Sequence, residues 1–177
     1  MDAHLRSVPA PQGEGVAMQV GPLDFEDFFH EHHARLFAAL CLVTGSRQEA
    51  EDIAQDAFLR IWERWERVAA MEEPTGFLFR TAMNLFRRRY RRSKLARRIS
   101  LPMREPDDAF ATVDGHDQLV RAMRGLTPKQ RAAVVLTAIL GFSSEEAGRI
   151  LGIRNSTVRV LARDARGALR TKLADST

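Results

Sequence analysis

Cysteine is nearly absent from this chain of 177 residues, because Cys41 is the only one. A lone cysteine excludes a disulfide framework and a Cys-rich zinc site within one chain. No apolar run approaches the roughly 20 residues that a membrane-spanning helix needs. The N-terminal segment also lacks the basic start and apolar centre of a secretory signal peptide. These absences predict a cytoplasmic protein.

Carboxylates are missing from one long stretch of the chain. Residues 74–104 contain no Asp or Glu, whereas acids outnumber bases over residues 24–73. The formal net charge is only +4, so the uneven distribution is more informative than the total. This stretch holds a basic cluster: Arg80, Arg87, Arg88, Arg89, Arg91, Arg92, Lys94, Arg97 and Arg98. A basic cluster without carboxylates predicts a surface that meets a polyanion.

Composition and periodicity predict an all-α protein of two small helical domains. Hydrophobic residues make up 45% and charged residues 28% of the chain, as in ordinary folded proteins. Residues 1–22 show no helical or alternating period and predict a disordered tail. Residues 99–116, with prolines and aspartates, predict a flexible linker between domains at 23–98 and 117–177. No stretch alternates with period two for long enough to predict a strand.

In the first domain, three helices are predicted. Asp24 is a candidate N-cap for the first helix, which Gly45 ends. Ser46 followed by Glu49 predicts a capping box that starts the second helix, and Pro74 opens the third. Apolar residues at helical spacing predict the buried face of the second helix: Ala50, Ile53, Ala54, Ala57, Phe58, Ile61, Trp62 and Trp65.

The second domain contains signals for two consecutive helices before its last one. Thr127 as N-cap and Pro128 at the first helical position predict a helix that ends at Gly141. Ser143 and Glu146 predict a second capping box, which starts a short helix.

The end of the chain has the spacing of a helix-turn-helix. Gly152 stands at the turn, Gly148 is expected at the tight contact between the two helices, and Val158 is expected to hold the second helix on the first. Asn155 or Ser156 is predicted to cap the last helix. Apolar spacing predicts a buried stripe along this helix: Val158, Leu161, Ala162, Ala165 and Leu169. Arginines line the outside: Arg159, Arg163, Arg166 and Arg170. Such a row predicts contact with the major groove and phosphates of DNA.

Four segments of the chain follow one another in a recognisable order: DIAQDAFLRIWERW, FLFRTAMNLFRRRYRR, LTPKQRAAVVL and SSEEAGRILGIRNSTVRVLARDARGALR. Together they resemble the extracytoplasmic-function (ECF) sigma factors of bacterial RNA polymerase over residues 25–173. The resemblance implies a sigma domain 2 at residues 23–98, which binds core RNA polymerase and the minus-ten promoter element. It implies a sigma domain 4 at residues 117–177, which binds the minus-thirty-five element.

The resemblance also implies which residues meet each partner. Those that face core polymerase are Asp52, Gln55, Asp56, Leu59, Arg60 and Glu63. Those that face the minus-ten element are Arg80, Asn84, Arg87, Arg88, Arg91 and Arg92, with Asn84 bonding base edges through its amide. Those that face the minus-thirty-five element are Asn155, Ser156, Thr157, Arg159, Arg163 and Arg166. The loop at residues 67–73 occupies the place that receives an extruded base. An anti-sigma factor is a further candidate partner.

Some positions depart from the family pattern. Leu161, Ala162 and Asp164 replace the Arg, Leu and Arg of the common sequence TVKSRLHRAR, and Asp164 would repel phosphate if exposed. Asp164 could pair with a neighbouring arginine or lie against the first domain. Gly148 stands where the family usually has Ala, at a cost of about 1 kcal/mol in helix stability.

The sequence also offers alternatives to a sigma factor. A stand-alone helix-turn-helix regulator, which binds duplex DNA without polymerase, would leave the segment DIAQDAFLRIW and Asn84 without a role. A helical interaction protein whose basic helix contacts acidic partners is a third interpretation. The sequence HEHH at residues 30–33 lacks the second histidine of a zinc-protease motif, because Ala34 stands there; we interpret it as a polar turn of the first helix. Cys41 is interpreted as a small core residue. No cofactor, metal site or catalytic constellation is predicted.

Overall fold

The computed structural model of the protein describes residues 24–98, 119 and 122–174. Its helices are α1 (Phe25–Thr44), α2 (Arg47–Trp62), α3 (Trp65–Ala69), α4 (Pro74–Arg98), α5 (Pro128–Val134, continued by the π-helical residues Val135–Ile139), α6 (Ser144–Leu151) and α7 (Asn155–Ala174). Helix and turn account for these ranges and no strand occurs in them, so the predicted all-α fold is confirmed. The predicted tail at 1–22 and linker at 99–116 lie outside the described residues.

Local signals set the helix ends of the first domain. Gly45 ends α1 with a left-handed φ of 74°, a conformation that glycine adopts without steric cost. The Ser46 hydroxyl accepts a hydrogen bond from the Glu49 N–H at 3.3 Å. The Ser46 N–H donates to the Thr44 hydroxyl at 3.1 Å rather than to Glu49, so half of the predicted capping box forms. Asp24 has extended N-cap backbone but makes no side-chain cap.

The indole of Trp62 lies outside the core, contrary to prediction. Its side chain is 60% exposed, while Phe58 and Ile61 are buried. Trp62 follows Leu59 by three positions, so the two share one side of α2. The helix ends at Trp62, and a new short helix, α3, begins at Trp65. The apolar pattern alone could not decide this, because Trp62 stands at the edge of the buried arc.

One histidine of the HEHH turn is part of the core rather than the polar surface. His32 is 5% exposed, and its Nε2 lies 3.0 Å from the Thr75 hydroxyl at the start of α4. The Phe28 ring packs edge-on against it. Burial lowers the pKa of His32, which favours a neutral ring at neutral pH. The residue therefore ties α1 to α4, and the interpretation of a polar turn holds only for the exposed His30 and His33.

The second domain follows its predicted signals closely. Reciprocal capping boxes form at Thr127 with Gln130 and at Ser143 with Glu146. The end of α5 widens to π-helical geometry, which the sequence did not predict; the Leu140 N–H bonds to the Val135 carbonyl at 2.9 Å. The last helix includes Asn155 as its first residue. An N-cap at Asn155 would have placed the first helical residue at Ser156, so the helix starts one residue earlier than that prediction.

Gly148 and Gly152 shape the turn between α6 and α7. Gly152 has a φ of 64°, which glycine tolerates better than residues with a Cβ. A Cβ on Gly148 would lie 2.9 Å from the Ile153 carbonyl oxygen and 3.4 Å from the Asn155 nitrogen. The predicted tight contact is therefore confirmed, and the absent side chain lets the two helices approach.

Replacing Gly148 with alanine is expected to destabilise the second domain by about 1–2 kcal/mol, since the backbone clash outweighs alanine's helix propensity. Urea unfolding followed by far-ultraviolet circular dichroism measures the change. Gly167→Ala in α7 is the matched control, because a Cβ there has no heavy atom within 4 Å. That change should stabilise by about 0.5–1 kcal/mol. Equal stabilisation by both variants would contradict the close contact at Gly148.

The two domains pack against each other through α4 with α6 and α1 with α5. The Phe79 ring lies 5.3 Å from that of Phe142, edge to face. The Arg131 Nε donates to the Val43 carbonyl at 2.8 Å. The two predicted helical domains therefore pack into one continuous hydrophobic core, a contact that the sequence did not predict.

Candidate polymerase and nucleic-acid interfaces

The outer face of α2 combines apolar and polar side chains. Leu59 is 52% exposed, and the residues implied to bind polymerase surround it: Asp52, Gln55, Arg60 and Glu63 are exposed and Asp56 is half-buried. Trp62 lies seven positions after Gln55 and three after Leu59, so it belongs to the same face. Exposed large apolar side chains next to carboxylates are typical of a protein-binding surface.

The two aspartates of this face are tied to α4. The Arg89 guanidinium contacts Asp52 Oδ2 at 3.2 Å and Asp56 Oδ2 at 2.8 Å. Partial burial opposes the charge on Arg89, but the hydrogen bonds that it donates to Asp56 and Asp52 prevail and raise its pKa. The sequence assigned Asp52 and Asp56 outward and Arg89 to the basic cluster. Their pairing crosses 33 positions or more along the chain, so only the packing of α2 on α4 reveals it.

The basic surface of α4 divides into exposed and covered residues. Arg80, Arg88, Arg91 and Arg92 are exposed, whereas Asn84 and Arg87 are half-buried. The helix has no acid in its first turn, and arginines on its exposed side are suited to phosphate contact. The structure therefore brings the six implied minus-ten residues onto one helix but leaves four of them open to solvent.

Arg87 is engaged by the second domain and also bonds to Asn84. Arg87 donates to the Leu151 carbonyl at the end of α6 and to the Asn84 side-chain oxygen. Its guanidinium also lies against Gly152. Burial lowers the pKa of Arg87, and Arg91 and Arg80 add to the effect. In this arrangement α6 covers the part of α4 that carries the implied base-contacting amide.

A cavity of about 480 Å³ lies between the two domains. The end of the loop at residues 67–73 and the start of α4 form one wall, including Arg80; Phe142, Glu146 and Arg149 form the other. Arg149 Nη2 lies 3.5 Å from Glu73 Oε1 across its edge. The loop is not fully irregular, because its first residues belong to α3. Both domains are needed to form this cavity.

The outer face of α7 carries the residues implied to meet the minus-thirty-five element. Asn155, Ser156, Thr157, Arg159, Arg163 and Arg166 are all exposed. Val158, Ala162 and Ala165 are buried as the predicted stripe, and Leu161 and Leu169 are half-buried against the same core. The arginine row therefore faces away from the rest of the domain.

Asp164 pairs with its neighbour and does not lie against the first domain. Its Oδ1 accepts hydrogen bonds from Arg163 Nε at 3.1 Å and Nη2 at 3.0 Å. The pair is exposed to solvent, so its contribution to stability is small. Its effect on charge matters more, because one carboxylate offsets one arginine in the middle of the row.

Within the described ranges, no cluster of three or more potential metal-ligating side chains occurs. Cys41 is buried, as expected for a core residue, and burial raises the pKa of its thiol. No helix in the same part of the chain has the length and apolar character needed to cross a membrane.

Comparison with known proteins identifies the two domains. The profile of Sigma-70 region 2 matches residues 28–96, and that of Sigma-70, region 4 matches residues 116–169. The chain is similar to the ECF RNA polymerase sigma factor SigE of Mycolicibacterium smegmatis, with 32% identity over 85% of this chain and 62% of that protein. It is 30% identical to the ECF RNA polymerase sigma factor SigM of Mycobacterium tuberculosis, over 82% of this chain and 74% of that protein.

Solved structures share the fold. The sigma factor RpoE from Bartonella quintana, in complex with the anti-sigma factor NepR, has a TM-score of 0.70 and 23% identity, over 85% of this chain and 97% of that one. CnrH in complex with the cytosolic domain of CnrY has a TM-score of 0.59 and 23% identity, over 86% of this chain and 89% of that one.

The matched profiles and relatives define the class of protein: a sigma factor, which acts with RNA polymerase in transcription initiation. The chain belongs to the ECF sigma factors. It spans 62% of the length of the SigE relative.

Proposed function

We propose that the exposed face of α2 binds core RNA polymerase and that α4 and α7 contact promoter DNA. One observation carries the proposal: two packed helices present opposite chemistries. The outer face of α2 is apolar and acidic around Leu59, while the exposed side of α4 carries arginines. A single macromolecular partner would not suit both surfaces, but a protein on one and a nucleic acid on the other would.

On α4, positioning and base recognition are assigned to different residues. Arg88, Arg91 and Arg92 hold the phosphate backbone of the minus-ten element, a contribution that depends on salt but not on sequence. Asn84 contacts a base edge, because its amide both donates and accepts hydrogen bonds. Arg80 lies close to the end of the loop at residues 67–73, and we place an extruded base against this loop of the first domain.

On α7, the first turns enter the major groove of the minus-thirty-five element. Asn155, Ser156, Thr157 and Arg159 occupy those turns, as in other helix-turn-helix proteins. Arg166 lies further along and is assigned to the phosphate backbone.

Binding to the minus-ten element requires the two domains to separate. In the described arrangement Arg87 bonds to the end of α6 and to the side-chain oxygen of Asn84, so α6 and Arg87 together obstruct DNA from this part of α4. We call the described arrangement, in which the second domain packs on α4, the closed arrangement. Core polymerase is the partner that separates the domains, since its binding face on α2 is exposed to solvent even in the closed arrangement. An anti-sigma factor, such as those in the complexes of RpoE and CnrH, is a second candidate protein partner.

The chain has no catalytic activity of its own under this proposal and acts in the cytoplasm, where transcription takes place. A stand-alone helix-turn-helix regulator is the alternative. It would bind duplex DNA without polymerase and would leave the α2 face unused.

The test is transcription with the purified chain and core polymerase on promoters selected from a randomised pool. Asn84→Ala is expected to change preference at one base of the minus-ten element. Arg88→Ala and Arg91→Ala should weaken open-complex formation equally on all promoters, each lowering the salt dependence by about one phosphate contact.

Two outcomes would contradict the proposal. Specific duplex binding without core polymerase, and no transcription with it, would favour the regulator. If Asn84→Ala weakens open-complex formation to the same degree on all promoters, as the arginine variants should, Asn84 does not contact a base.

A further inference from the structure

Val160 is an exposed aliphatic residue on the outer face of α7. Its side chain is 46% exposed, and it lies among the arginines of the row. Ser156 precedes it by four positions and Arg163 follows it by three, so the three share the side of the helix opposite the buried Val158 and Ala162. Single exposed apolar residues are common. This one stands in the second turn of the helix that we assign to the major groove.

The charge around Val160 indicates the kind of partner that covers it. Arg159, Arg163 and Arg166 are exposed on the same helix, and the carboxylate of Asp164 is paired with Arg163. A basic surface of this kind is complementary to a polyanion rather than to an apolar protein surface. Duplex DNA is therefore the occupant that fits both the arginines and the position of Val160.

The major groove offers one apolar group to such a side chain. Thymine carries a C5 methyl group there, whereas the other groups at the base edges are hydrogen-bond donors and acceptors. The isopropyl group of Val160 cannot hydrogen-bond. If it covered those polar groups, they would lose their hydrogen bonds to water without replacement, which is unfavourable. Contact with a thymine methyl buries apolar surface on both sides.

We propose that Val160 selects a thymine in the upstream promoter element by contacting its C5 methyl group. This inference rests on the proposed function, in which α7 enters the major groove. Val160 would then recognise a base that the arginine row does not, because arginine preferentially recognises guanine.

The experiment removes one methyl group at a time from the DNA. A promoter duplex is selected by the complete chain with core polymerase, and each thymine of its upstream element is replaced singly with deoxyuridine. Deoxyuridine lacks only the C5 methyl, so base pairing and the groove hydrogen-bonding groups stay the same. At one position the wild-type complex should bind about fourfold more weakly, the effect of roughly one buried methyl group.

The same substitution should cost nothing in the Val160→Ala variant, which should bind both duplexes as weakly as the wild type binds the deoxyuridine duplex. Val160→Ile keeps the apolar contact and should retain the difference. Ile139→Ala is the matched control, because it also shortens an exposed aliphatic side chain of this domain, one that is 50% exposed. It should leave the fourfold effect unchanged.

Failure of the inference differs from failure of the proposed function. If the complex binds and transcribes, but no thymine shows a methyl effect or Val160→Ala shows the same effect as the wild type, the inference is wrong. If Val160→Ala weakens binding to core polymerase while deoxyuridine is silent, Val160 is a protein contact and the inference is also wrong. If the chain supports no promoter-specific transcription at all, the proposed function itself fails.

Discussion

Leu59→Asp is expected to reduce affinity for core RNA polymerase by at least about thirtyfold, the range of a strong interface residue. Leu59 is 52% exposed on α2, so the substitution should leave the helix and its core intact. A buried carboxylate without a partner would then oppose docking, because its desolvation is costly. Titration of labelled chain with core polymerase measures the affinity, and circular dichroism checks the fold.

Val160→Asp is the matched control for this change. It also places a carboxylate on an exposed aliphatic position, but on α7, which we assign to DNA. Affinity for core polymerase should stay within about twofold of the wild type, as is usual for surface substitutions away from an interface. Equal losses in both variants, or unchanged affinity in Leu59→Asp, would contradict the assignment of the α2 face.

Charge reversal at Asp52 and Asp56 is a less direct test of the same surface. Both carboxylates bond to Arg89 on α4, so two lysines there would repel that guanidinium and disturb the packing of α2 on α4. A loss of polymerase binding would then mix an interface effect with a structural one. Gln55 and Glu63 are better supporting positions, because both are exposed.

Phe142→Ala is expected to open the closed arrangement of the two domains. The Phe142 ring packs on Phe79 and lies under the Arg35 guanidinium, 5.8 Å from it. Removing a half-buried aromatic ring should cost the closed arrangement about 2 kcal/mol, or roughly thirtyfold in its population relative to the open one. Small-angle scattering of the isolated chain should show a larger radius of gyration.

Opening should also raise affinity for single-stranded DNA of the minus-ten element. If only a small fraction of the isolated chain exposes Asn84 and Arg87, its apparent affinity is reduced by that fraction. The Phe142→Ala variant should bind the oligonucleotide up to about thirtyfold more tightly. Ile139→Ala, which shortens an exposed side chain of the same domain, should change neither size nor affinity.

An expanded Phe142→Ala variant with unchanged DNA affinity would mean that the cover of α6 over α4 does not limit binding. A variant that keeps both the size and the affinity of the wild type would contradict the role of Phe142 in closure.

The sequence alone predicted most helix ends. Gly45, Gly152 and the capping residues Thr127 and Ser143 mark helix ends, because these signals act within four residues of one another. The buried stripe of α7 and the close approach at Gly148 followed from spacing. The uneven charge likewise predicted a basic surface on α4, where Arg80, Arg88, Arg91 and Arg92 are exposed; its contact with a polyanion stays a prediction.

Tertiary structure decided which side chains are exposed and which partners they have. The sequence placed Trp62 in the core and left His32 in a polar turn, yet Trp62 is exposed and His32 is buried. It placed Arg87 and Arg89 together in one basic cluster, yet one bonds to α6 and the other to α2. Helical periodicity gives the direction in which a side chain points from its helix axis. Whether that direction meets solvent or another helix depends on elements that are distant in the chain. The sequence by itself therefore determined the helices, their ends and their charge, whereas long-range packing decided that the second domain covers part of α4, the helix that we assign to the minus-ten element.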